Sequence, residues 1–142
     1  MVNGSVHVVG SDQAQVDRAV AATDGRDGAF SVPLTMSETA SGLHVELGTA
    51  PGSASVSGNL FLVNFISSAP VAIGRGENAG RTVTYTNVAR DIVALGAYRG
   101  APAQFDVQGA QLRRNGSDGY VVMLQAGSAT RPGVVLAAAK SN

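Results

Sequence analysis

From residue 29 onward the hydrophobic pattern has a period of two and is cut into short pieces. Seven runs read as strands: VPLTMSE, GLHVELG, SASVSGNLFLVNFIS, TVTYTNVARDIVAL, AQFDVQG, GYVVMLQAG and GVVLAAA. Alternation of this kind sends successive side chains to opposite faces, so each run can bury one face and leave the other outward. The separators TASG, TAPG, RGENAGR, GAYRGAP, RRNGSDG and SATRPG are dense in residues that supply the backbone angles of tight turns. Strands this short and this regularly spaced predict a mainly β fold, an antiparallel β-sandwich of about seven strands, over residues 29–142.

Residues 1–28 follow a different rule. Asn3-Gly4 reads as a hairpin turn leading into a strand from Ser5 to Val9, yet only Met1 and Val2 precede it. A hairpin short of one arm leads us to expect a chain that starts inside a fold, and no leader peptide is expected from its polar opening. SDQAQVDRAVAATDG then reads as a helix, with Asp12 and Gln15 placed for a capping box and Gly25 as its stop. Val16, Ala19 and Val20 share one helical face. Three turns carrying small apolar residues cannot stand alone, so the helix must dock on something. The expectation is a strand–helix remnant of a larger domain; an orphaned edge and face of this kind favour two chains pairing their remnants as a homodimer, the alternative being that the remnant folds back on its own sandwich.

Composition removes several classes of function. Ten basic and ten acidic residues give a formal net charge of zero, which argues against a nucleic-acid surface and against an electrostatically held membrane patch. With no Cys, thiol redox chemistry, disulfides and thiolate zinc sites are excluded. Gly-x-Ser-x-Gly is absent, and the glycines Gly74, Gly76 and Gly80 match neither a dinucleotide fingerprint nor a P-loop. Asp24 and Asp27 lack the acidic density of a calcium loop, and Asn115-Gly116 reads as a turn.

One run is dense in polar chemistry. RGENAGRTVTYTNVAR, residues 75–90, carries three of the ten basic side chains with a carboxylate, two Asn and a Tyr. As structure, Arg75, Glu77 and Arg81 form a charge-assisted network pinning a loop, and Asn78 makes a left-handed or Asx turn. Asn87 satisfies a backbone group, while Tyr85 packs with its hydroxyl at the rim. As a site, Arg75, Asn78, Arg81, Asn87 and Arg90 hold a small anion or ester, Glu77 is a general base and Tyr85 a hydrogen-bond donor. A second candidate uses His44 and Glu46, which share one strand face opposite Leu43, Val45 and Leu47. Joined by His7 they could bind Zn²⁺, whose catalytic sites combine such ligands with water.

On RGENAGRT and NVAR, together with LFLVNF before them and YVVMLQAG and GVVLAAA after, the chain resembles domain of unknown function 1223. That family consists of bacterial, usually exported proteins with a thioredoxin-like part followed by an all-β part. VNGSVHVVGSD resembles the family's last thioredoxin hairpin. The resemblance implies a periplasmic or secreted location; the paired-Cys portion of the family has no counterpart here, so it implies no redox role. Two functions follow as expectations: a non-catalytic, self-associating binding or structural module, or a small hydrolase of activated esters or phosphoesters, metal-free or zinc-dependent.

Overall fold

Each of the seven alternating runs becomes a strand in the computed structural model, which describes residues 1–24, 28–52, 56–128 and 130–141. In chain order they are β1 (Leu34–Thr39), β2 (Gly42–Leu47), β3 (Gly58–Ala72), β4 (Thr82–Tyr98), β5 (Ala103–Gln108), β6 (Gly119–Ser128) and β7 (Arg131–Lys140). A three-stranded sheet runs β1-β2-β5 and a four-stranded sheet runs β4-β3-β6-β7, with every pairing antiparallel. The fold is therefore mainly β, as the alternation predicts.

The alternation also decides the core. Leu43, Val45 and Leu47 of β2 and Val107 of β5 face inward from the smaller sheet. Leu60, Leu62, Val122, Leu124 and Leu136 meet them from the larger one. Burying a side chain of this kind stabilises by about 1.5–3 kcal/mol relative to leaving it exposed, so this layer is the main driving force. Tyr98 closes one part of the core with its hydroxyl donating to Gly48 O at 2.7 Å. Asn64, which interrupts the apolar run of β3, is completely buried. Its Nδ2 donates to Gln111 O at 2.9 Å and its Oδ1 accepts from Arg113 N at 2.7 Å. It thereby ties the short 3₁₀ turn Gly109–Gln111 to β3, an arrangement that makes a buried amide tolerable.

The amino-terminal segment departs from expectation. Residues 5–9 form no strand; Val2 and Val6 make one isolated bridge around the turn. Asn3 and Gly4 do take the left-handed angles the turn needs, at φ 47 and 72°. A Cβ on Gly4 would lie 2.1 Å from Gly133 O, so glycine is also required there by close approach to β7. Helix α1 spans Gln13–Thr23, with Asp12 Oδ1 accepting from Gln15 N at 3.0 Å. The Gln15 amide returns to the Asp12 carboxylate at 2.7 Å rather than to backbone, so the cap is only half the expected box. The expected Gly25 stop and Asp27 turn lie outside the described residues. The segment lies on its own sandwich, with Val135 N donating to Asn3 O at 3.4 Å. No helix among the described residues is long and apolar enough to cross a membrane.

Candidate functional site

Strands β3 and β4 are longer than the sandwich they help to build. β6 pairs with β3 only over Gly58–Phe65, whereas β3 and β4 remain paired out to Ala72 and Thr82. Residues 66–72 and 82–88 are thus a two-stranded arm leaving the body. At about 3.4 Å per residue it extends roughly 20 Å. Its root is fixed by Asp118, whose carboxylate accepts from Ser67 N at 2.8 Å and Ser67 Oγ at 2.7 Å. These bonds, that from the hydroxyl first, hold the Asp118 carboxyl below its ordinary pKa.

The polar run 75–90 forms the tip and one strand of this arm. The tip loop is closed by backbone: Ile73 N donates to Arg81 O at 2.8 Å and Gly80 N to Ile73 O at 2.9 Å. Gly76 and Gly80 supply positive φ, at 88 and 82°. Asn78 is not left-handed; its carbonyl accepts from Arg81 N at 3.2 Å. Arg75, Glu77 and Arg81 are all exposed, and among the described residues no ion pair joins them. The expected pinning network is therefore not what shapes the loop. Arg90 is the extra residue of a bulge opposite Asn64 and Phe65, and it too is exposed.

On the arm, cross-strand partners Val71 and Val83, and Ala69 and Tyr85, share one face. The partners Ser68 and Thr86, Pro70 and Thr84, and Ala72 and Thr82 share the other. Asn87, at φ 51°, ends this alternation. Val71, Val83 and Tyr85 are 46, 38 and 54% exposed, so Tyr85 is not packed at a rim but stands in solvent. One face of the arm is an uncovered apolar strip, the other a threonine face. Glu77, on the tip loop, has no side-chain hydrogen bond or ion pair among the described residues, so nothing there activates it as a base.

The second candidate lies elsewhere. On the outer face of the smaller sheet, His44 Nδ1 is 2.6 Å from Asp106 Oδ1, and its Nε2 is 3.6 Å from Glu46 Oε1. The hydrogen bond to Asp106 raises the His44 pKa; slight desolvation opposes this and Glu46 adds to it. Asp106 was not singled out in the sequence; its register opposite His44 on β5 is the signal that places it there. His7 belongs to the amino-terminal segment, and among the described residues no three His, Asp or Glu side chains are arranged to hold a metal ion. His44, Glu46 and Asp106 satisfy one another as an ion-paired cross-strand row.

A third cluster was not singled out either. Tyr120, buried in β6, donates to Glu38 Oε1 at 2.6 Å, and the Arg113 guanidinium stacks 5.1 Å from its ring while lying 3.6 Å from Glu38. Burial and the adjacent carboxylate push the Tyr120 pKa up to about 12, so it remains a donor. These groups line a cavity of about 530 Å³ at one end of the sandwich, but all are engaged with each other.

Comparison with known proteins gives a family and a fold. A family model described as "Protein of unknown function (DUF1223)" matches residues 1–125. No curated protein matches the chain. A crystal structure of an Agrobacterium tumefaciens protein from structural genomics is similar over 97% of this chain, with TM-score 0.77 and 17% identity. The chain covers 58% of that protein's length.

Proposed function

The chain belongs to the DUF1223 family of proteins of unknown function, and we propose that it is a non-catalytic binding and assembly module of an exported bacterial protein, self-associating through the β3–β4 arm. The observation that carries this is the arm itself. An isolated two-stranded ribbon is marginal in water, and this one holds three apolar side chains in solvent where the sandwich cannot cover them. Burying that strip against a second copy removes the liability.

Light scattering on the purified protein at micromolar concentration tests the reading. A dimer is expected in the wild type, and Val71→Lys with Val83→Lys shifts it to monomer without changing the far-ultraviolet spectrum. A wild-type monomer, or a dimer indifferent to both lysines, contradicts it.

A further inference from the structure

The arm's apolar strip shares its face with further apolar residues on the body, beyond the Ser67–Asp118 root. Period two along β3 puts Ala69 and Val71 on the same face as Phe61 and Val63, and this is the outer face of the four-stranded sheet. Phe61 pairs with Met123 and Val63 with Val121 on β6, while Ile92 of β4, beside Val63, is 64% exposed. A soluble sheet normally turns a polar face outward, and this one is apolar. It leads into a groove of about 550 Å³ between α1 and the sheet, walled by Val20, Phe30, Met123, Val135 and Ala138.

Two features of the groove fit the arm. Val20 and Phe30 are 53 and 57% exposed, and Phe30 is held at φ 50°, a backbone conformation that a bulky side chain rarely adopts. Packing among the described residues does not account for an aromatic presented outward from such a position. Charge also matches: residues 66–90 carry Arg75, Arg81 and Arg90 against one carboxylate, Glu77, whereas α1 and its caps carry Asp12, Asp17 and Asp24 against one cation, Arg18. An aromatic on a net-basic arm facing an apolar groove with Asp24 on its rim is the pattern of an interface anchor and its seat.

We propose that the arm's partner surface is the apolar outer face of a second copy of this chain, with Tyr85 seated in the groove beside α1. This rests on the self-association reading above and names where the contact is made. About a two-fold axis, each arm lies along its partner's sheet and fills its partner's groove, so both strips are covered at once.

Complementation separates the two claims. Tyr85→Ala removes the anchor and Val20→Lys blocks the seat; both side chains are more than half exposed, and circular dichroism confirms folding. Each variant alone is expected to dimerise at least ~30-fold more weakly than wild type, the size of an interface anchor. Phe30→Asn, which tolerates the left-handed turn, is a second groove variant with the same expected direction. Mixing Tyr85→Ala with Val20→Lys leaves one intact arm–groove contact, so sedimentation of a fluorescently labelled Tyr85→Ala copy with excess Val20→Lys is expected to yield a heterodimer. If Tyr85→Ala dissociates the dimer while Val20→Lys and Phe30→Asn leave it unchanged, the arm reading stands and the groove is not its seat. A mixture that stays monomeric also overturns the reciprocal contact. A monomeric wild type overturns both claims.

Discussion

Asn64 shows how one residue can look like a flaw in the sequence and act as a fastener in the fold. Within LFLVNFI it breaks an apolar run; in the structure it is fully buried and joins β3 to the turn after β5. Asn64→Ala leaves the half-buried Gln111 carbonyl and the Arg113 amide without their partner and opens a gap in the core, and is expected to cost about 2 kcal/mol in urea unfolding. Tyr120→Phe deletes one hydrogen bond to a carboxylate that stays solvated, so its expected cost is only about 1 kcal/mol. His44 gives a pH signature. Its folded pKa lies above the ordinary ~6.5, so the ion-paired row contributes stability that is fully present below that pH. The contribution is lost as pH rises through the folded value. The thermal midpoint is therefore expected to decline as pH rises above about 6.5 in the wild type, and His44→Gln is expected to flatten that part of the profile. A wild-type profile flat over that range contradicts it. None of these partners could be read from one sequence, because each is set by register between strands far apart in the chain.

The strands themselves were legible. All seven follow from period two and turn chemistry, as do the inward Leu43, Val45 and Leu47 and the outward His44 and Glu46. What alternation could not show is where a strand outlasts its neighbour. VNFISSAPVA and TVTYTNVAR read like any other pair of runs, yet beyond Phe65 they have no third strand among the described residues. Edge status is a property of the sheet, not of the run, so a loop pinned by charges was expected where a free arm tip stands. The amino-terminal strand fails for the complementary reason: β-propensity at Ser5–Val9 finds no ladder to join. The arm should therefore be the least protected part of β3 and β4 when the protein is monomeric. Amide exchange at residues 66–72 and 82–88 is expected to be faster than at 58–65, with protection rising on concentration. Uniform protection along both strands at every concentration would contradict an arm that is covered only by a partner.

At the scale of the molecule, a sandwich core sits beside an apolar surface that the described residues leave uncovered. The inner faces of both sheets meet in one cluster, while the outer face of the larger sheet shares a groove with the three-turn helix at one edge. On the proposed reading, stability and association rest on different residues and can be separated. The most direct measurement is sedimentation velocity on wild type and on a variant in which Ala69–Tyr85 is replaced by Asn-Gly, which keeps Ser67 on Asp118 and closes the hairpin at Ser68 and Thr86. The expected result is a concentration-dependent dimer for the wild type, and a folded monomer with an unchanged core for the trimmed chain. A trimmed chain that dimerises like the wild type, or a wild type that is monomeric throughout, would show that the arm is not the contact element.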